Sequence, residues 1–200
     1  MKRLFDIIAS LIGIIILSPF LLLISLAVAL TSGFPIFYLQ TRVGKNNKDF
    51  KLFKFRSMAN NSDKKGLLTV GGRDPRITRV GYFLRKYKLD ELPQLFNVLF
   101  GSMSLVGPRP EVRKYVDLYN EEQKKVLSVQ PGITDYASLD YINENELLAK
   151  SSNPEETYIK EVMPAKLQLN LKYINEIGLG TDLKLIFKTI GKILGINNHE

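Results

Sequence analysis

A chain of 200 residues with 45% hydrophobic content can bury one real core, and its formal charge of +8 points to an anionic partner: nucleic acid, acidic lipid or a phosphorylated substrate. It has no cysteine, which excludes a disulfide framework and a thiol nucleophile, and its only histidine, His199, is next to the last residue. A Ser-His-Asp triad or a histidine-rich zinc site therefore has no imidazole to use, and the chemistry falls to carboxylates, hydroxyls and basic side chains.

The first forty residues set the compartment. From Ile7 to Leu30 the chain carries no charge, about the ~20 residues that a membrane helix needs. A secretory signal would be shorter and end at a small-residue cleavage site, whereas Phe34-Pro35-Ile36-Phe37-Tyr38 follows this run. Ser18-Pro19 lies near its middle. Pro19 cannot donate to the carbonyl of Ile15, so a kink is expected there, and the Ser18 hydroxyl can satisfy a freed carbonyl. Lys2 and Arg3 precede the run, and Arg42, Lys45, Lys48, Lys51, Lys54 and Arg56 follow it. Positive charge marks the cytoplasmic side, and a straight span would send one basic end outside. A helix that enters, breaks at Ser18-Pro19 and returns keeps both ends inside; a plain or kinked spanning anchor is the competing reading. Asp6, just inside the apolar boundary, can meet Arg3 on one helical face or stand as an ordinary interfacial acid.

Phe50-Lys51-Leu52-Phe53-Lys54-Phe55-Arg56, taken as alternating apolar and basic residues, reads by its period of two as a strand with one buried and one cationic face, or as an edge strand defended by lysines. A polar loop, residues 60–66, leads into Thr69-Val70-Gly71-Gly72-Arg73-Asp74-Pro75-Arg76-Ile77-Thr78-Arg79. Glycines there would let backbone amides approach a ligand, and Arg73 and Arg76 could grip phosphate; a basic turn explains the same residues. No Gly-Lys-Ser/Thr follows, so this is not a Walker loop.

Leu92, Leu95, Phe96 and Leu99 recur at helical spacing, which predicts a helix starting near Asp90, with Asp90 as N-cap and Pro93 in the first turn. A helix N-terminus favours both an ionised Asp90 and a neighbouring phosphate, although acidic caps are common without any such function. In Gly107-Pro108-Arg109-Pro110-Glu111, two prolines stiffen the backbone around Arg109, suiting a bidentate phosphate ligand or a rigid turn. Residues 111–129 form a charged, helical stretch, and 143–161 reads as loop with short helix. From Pro164 the apolar period returns in a helix ending at Gly178. A last helix follows Gly180, with Leu183, Ile186, Ile190, Ile193 and Leu194 on one side and Lys184, Lys188 and Lys192 on the other. Such a helix suits an anionic membrane surface or a protein core.

Taken together, the Ser18-Pro19 break, Phe50 to Met58, Asp74 to Arg79, Leu89-Asp-Glu-Leu-Pro-Gln-Leu95, Met103 to Pro110 and Gln130-Pro-Gly-Ile-Thr134 resemble the bacterial sugar transferases, specifically the small monotopic phosphoglycosyl transferases. The resemblance implies a helix-rich α/β fold: a re-entrant membrane helix-break-helix over residues 1–40, and a compact catalytic body over 41–200 on the cytoplasmic face of the bacterial inner membrane, with amphipathic surface helices. It implies transfer of a sugar-1-phosphate from a UDP-sugar to polyprenyl phosphate with release of UMP, early in glycan assembly. Asp90 would be the nucleophile, Glu91 would assist in metal binding or proton transfer, and Mg²⁺ would offset the diphosphate charge. Lys54, Arg85 and Arg109 would line the phosphate site, and Asp182 matches a late acid of the family. Membrane lipid is an implied partner, nucleic acid is not, and a homodimer is compatible with the pattern. Ser102 stands where many relatives have Asp, and the stretch after Thr134 departs from the pattern, so the donor sugar does not carry over. The competing classes are a membrane-anchored basic binding module and an assembly adaptor, neither of which gives Asp90-Glu91 a task. Within the enzyme class, the rival is direct transfer without a covalent intermediate.

Overall fold

The uncharged run folds as one long helix, α1 (Lys2–Ser32). No residue leaves the helix at Ser18-Pro19: the Ser18 hydroxyl donates to the Ile15 carbonyl at 2.8 Å, supplying the bond that Pro19 cannot make. Of the residues along α1, Asp6, Ser10, Leu21 and Val28 are buried, with Gly13, Leu17 and Ile24 half-buried between them. These positions fall three or four apart, so one stripe of the helix rests against the body from end to end. The opposite face exposes Ile15, Ile16, Phe20, Leu22, Leu23, Leu26 and Leu30. Among the described residues, α1 is the one helix long and apolar enough to cross a membrane.

Polar side chains tie both ends of α1 to the body. Lys2 binds Asp182 at 2.5 Å, and Arg3 donates to the carbonyls of Val98 and Leu99 at 2.6 and 2.9 Å. Asp6 does not pair with Arg3 as its spacing allowed; it turns inward and accepts from Ser104 Oγ and the Leu105 amide, both at 3.1 Å. At the other end, the buried Arg56 guanidinium donates to the carbonyls of Ser32, Gly33 and Phe34. It thereby caps the exposed C-terminal carbonyls of the helix.

The structure describes residues 1–60, 62, 66, 68–71, 74–193 and 195; Gly72, Arg73, Leu194 and His199, named above, lie outside the described residues. After α1 comes an antiparallel hairpin, β1 (Phe37–Val43) with β2 (Asp49–Phe55), paired Phe37 to Phe55 through Val43 to Asp49. Helices α2 (Arg79–Lys86) and α3 (Gln94–Phe100) follow, and then β3 (Ser104–Val106). Short helices α4 (Arg113–Val116) and α5 (Glu121–Lys124) precede β4 (Gly132–Thr134), which pairs with β3 in parallel. The remainder is helical: α6 (Tyr136–Asp140), α7 (Glu144–Ala149), α8 (Pro154–Thr157), a π-turn over Tyr158–Val162, α9 (Met163–Asn175) and α10 (Leu179–Ile193). The fold is the expected helix-rich α/β body behind an N-terminal apolar helix.

Two features of this frame position the site. Leu17, Leu21, Ile24 and Val28 of α1 pack with Phe55, Leu84, Leu89, Leu92 and Phe96, so the segment around Asp90 is built directly on the apolar helix. Buried Asn97 of α3 stitches β2 to the same segment, accepting from the Phe53 amide at 2.9 Å and donating to the Lys51 carbonyl at 2.8 Å. Beside them β3 and β4 run so close that a Cβ on Gly132 would lie 2.0 Å from the Gly107 amide nitrogen. Only glycine permits that approach, and it fixes where the Pro108-Arg109-Pro110 bend leaves the strand.

Candidate active site

Asp90 does not cap an α-helix as its sequence context predicts. It is the middle residue of a 3₁₀ turn, Leu89–Glu91, and α3 begins only at Gln94. The bonds that form over this turn are the i→i−3 contacts from the Glu91 amide to the Lys88 carbonyl and from the Leu92 amide to the Leu89 carbonyl, at 3.2 and 3.3 Å. Lys88 enters this turn at φ 56°, a left-handed conformation uncommon for a residue with a side chain. The result places two consecutive carboxylates in the wall of one cavity of about 700 Å³.

The two acids have opposite surroundings. Asp90 is 5% exposed. Burial and the adjacent Glu91 charge push its carboxyl above the ordinary aspartate range, against the pull of Lys54, Arg85 and Lys88. Glu91 is also opposed by burial, but the Arg109 guanidinium and the Lys54 ammonium outweigh that and hold it well below the ordinary range. Lys54 reaches Glu91 at 3.1 Å, and Arg109 grips both oxygens, one of them at 3.2 Å. Burial lowers the Lys54 ammonium, and Glu91 restrains that shift. Glu91 raises Arg109 further, so the guanidinium is a fixed positive charge. The site thus pairs a cation-clamped carboxylate that gives up its proton readily with a buried one that holds its proton more tightly.

The inward direction of Lys54 departs from the simple alternation read in the sequence. Leu52 and Phe53 interrupt the period, so Lys54 and Arg56 share the face of buried Leu52 and point into the body, while Lys51 points out. Arg85 also lines the cavity and donates to Thr69 Oγ1 at 3.0 Å. Arg76 is different. Its guanidinium is engaged by Asp74 on two nitrogens and by the carbonyls of Gly66 and Leu68 at 2.6 and 2.7 Å, so it holds its own loop together. That geometry gives Arg76 no donor set aimed at a phosphate. Asp182 is buried outside the cavity, bound by Lys2 and, at 2.7 Å, by Tyr173. It fastens α1 to α10 and takes no part in the site. Ser18 and Pro19 lie on the exposed side of α1.

Two supporting groups carried no sequence signal strong enough to single out. Asp135, fully buried, accepts from the Arg109 amide at 3.1 Å and the Ser138 amide at 2.6 Å, holding the Arg109 backbone while capping α6. Its aspartate-x-x-serine spacing is an ordinary cap pattern, which conceals the second bond. Glu111 accepts from Arg42 at 2.9 Å and from Tyr158, bracing the residue after Pro110.

As for a metal, no cluster of three or more His, Cys, Asp or Glu side chains suited to an ion occurs among the described residues. Asp90 and Glu91 supply hard oxygen donors, and both oxygens of Glu91 already face cations. That set fits Mg²⁺, which keeps several waters and takes one or two carboxylates together with substrate phosphates; Asp90 is the better placed ligand.

Asp90 and Glu91, with Lys54, Arg85 and Arg109 beside them and the apolar helix beneath, form a cavity wall able to bind phosphate oxygens. The family model for the bacterial sugar transferases matches residues 1–195, and the chain belongs to that family. It is 40% identical over 196 residues to a UDP-N-acetylgalactosamine-undecaprenyl-phosphate N-acetylgalactosaminephosphotransferase of Aeromonas hydrophila, covering 96% of this chain and 43% of that protein. It is 39% identical over 196 residues to an undecaprenyl-phosphate glucose phosphotransferase of Komagataeibacter xylinus, covering 94% of this chain and 35% of the relative. The chain therefore spans less than half the length of these relatives. The exopolysaccharide production protein PSS of Rhizobium leguminosarum bv. phaseoli is nearer in length, at 38% identity over 197 residues, 95% of this chain and 93% of the relative.

Proposed function

We propose that this protein is a phosphoglycosyl transferase that moves a sugar-1-phosphate from a UDP-sugar to undecaprenyl phosphate, releasing UMP. The observation that carries the reading is the Asp90-Glu91 pair, with Lys54, Arg85 and Arg109 around it, in the wall of a cavity built on the apolar helix. The names of the relatives from Aeromonas and Komagataeibacter support it, since each acts on undecaprenyl phosphate.

In the proposed mechanism, ionised Asp90 attacks the β-phosphorus of the donor. The bond from that phosphorus to the bridging oxygen breaks, and UMP departs with the electron pair. The sugar phosphate is then held on Asp90 as an acyl phosphate. A phosphate oxygen of undecaprenyl phosphate attacks the same phosphorus, the bond to Asp90 breaks, and the carboxylate returns. Glu91 holds Lys54 and Arg109 in place, so that two fixed cations face the diphosphate as charge moves onto the leaving phosphate. Mg²⁺, bound chiefly through Asp90 and the donor, would neutralise part of the diphosphate charge.

The same proposal includes a monotopic arrangement at the cytoplasmic membrane, with the body on the cytoplasmic side. Both ends of α1 and the stripe between them bind one polar body, which would have to enter the lipid if α1 crossed it. With α1 embedded from one side, the exposed apolar face meets lipid and the basic flanks stay together. The test is UMP release by the purified chain with Mg²⁺ and a panel of UDP-sugars. Turnover that needs undecaprenyl phosphate supports the reading; salt-sensitive nucleic-acid binding without turnover would replace it with a basic binding module.

A further inference from the structure

The cavity extends beyond Arg109 to a wall that the phosphate chemistry does not use. Helix α9 turns Met163, Lys166, Leu167 and Asn170 toward it, at the i, i+3, i+4, i+7 positions of one face, and α6 contributes Ser138. Two polar atoms of this wall, Ser138 Oγ and Asn170 Oδ1, are buried without a hydrogen-bond partner, and Asn170 is only 5% exposed. Buried polar atoms in folded chains are nearly always paired, so these two take their partner from the cavity beside them.

Their position identifies which group. The Ser138 amide and the Arg109 amide bind the two oxygens of the same Asp135 carboxylate, at 2.6 and 3.1 Å. Ser138 is therefore one side chain removed from Arg109, which grips Glu91 beside Asp90. In a nucleoside diphosphate sugar, the sugar is attached directly to the phosphorus that Asp90 would attack, whereas the base is separated from it by a second phosphate and the ribose. A hydroxyl and a primary amide offer short-range donors and acceptors, and the Lys166–Glu144 ion pair at 2.6 Å adds fixed charge to the same wall. These are partners for sugar hydroxyls or an acetamido group.

We infer that Ser138 and Asn170 form the sugar-reading subsite of the donor pocket and select among UDP-sugars. The inference rests on the phosphoglycosyl transfer reading. Its test is kcat/KM of the full chain, with Mg²⁺ and undecaprenyl phosphate, for UDP-glucose, UDP-galactose, UDP-N-acetylglucosamine and UDP-N-acetylgalactosamine, alongside inhibition by UMP. In Ser138→Ala and Asn170→Asp, the ratio of kcat/KM between the best and second donors should change by about tenfold or more, because a polar site discriminates through the partner it would otherwise leave unpaired. UMP inhibition should stay within about twofold, since the base and ribose lie elsewhere. An equal fall for every donor, a weaker UMP inhibition with unchanged ratios, or no change in either quantity would overturn it. Ser138→Ala removes one oxygen from a half-buried position, so it stands as the folded control should Asn170→Asp melt early. Absence of UMP release by the unsubstituted chain from all four donors is a separate result and contradicts the transfer reading itself.

Discussion

Asp90 and Glu91 are adjacent in sequence and opposite in energetics. In the folded chain the Asp90 carboxyl is raised, so stability attached to this group is full below the ordinary aspartate pKa and is lost as pH rises through the raised folded value. Asp90→Asn should therefore leave the melting temperature at neutral pH unchanged or higher while lowering turnover ~10³-fold or more. The acid limb of kcat/KM should lie above the ordinary aspartate range, with activity falling as pH drops through it. Glu91 has the reverse sign: its folded value is depressed, so its contribution is present above the ordinary glutamate range and is lost as pH falls. Glu91→Gln leaves Lys54 and Arg109 facing a neutral group and should destabilise the fold by about 2–4 kcal/mol, measured by chemical denaturation at neutral pH. Equal stability losses in both variants would contradict this assignment.

The elements hold these residues by devices of uneven legibility. The uncharged run, the carboxylate pair and the proline-flanked Arg109 are visible in sequence because each follows from composition or local chain stiffness. The 3₁₀ turn at Asp90 is less visible, since apolar spacing after Leu92 signals a helix without fixing where its first turn closes. Strand β1 was hidden because Phe37 to Leu39 continue the apolar run, and this edge stays exposed in the fold. Arg76 reads as a phosphate ligand because sequence records its charge and not the neighbouring carbonyls that bind it. Asn170 reads as an ordinary helix polar residue, since the cavity it faces is made by distant segments. At this scale, Gly132→Ala should lower stability by about 2 kcal/mol or more and impair turnover, because its Cβ would meet the Gly107 amide nitrogen at 2.0 Å and displace the Arg109 bend. Thermal melts and UMP release measured on one preparation test both effects.

For the whole molecule, the relation of α1 to the body decides the topology. Lys2 and Arg3 bind one end of the body and Arg56 closes the other, so the helix is fastened along it. The chain has no cysteine, which gives single-cysteine variants a clean background. With Leu4→Cys and Thr31→Cys, a membrane-impermeant maleimide applied outside intact cells should label neither; labelling of one end alone would establish a span. Asp182→Ala should weaken this fastening, lowering thermal stability while leaving the UMP inhibition constant unchanged, since Asp182 lies outside the cavity.

Intact-protein and peptide mass spectrometry reads whether Asp90 carries the sugar phosphate. The full chain is incubated with Mg²⁺ and each UDP-sugar, without undecaprenyl phosphate. A sugar-phosphate mass is expected on the peptide containing Asp90, absent from Asp90→Asn and discharged when undecaprenyl phosphate is added. No adduct with a donor that nonetheless releases UMP once undecaprenyl phosphate is supplied would contradict it, and would assign the reaction to direct transfer.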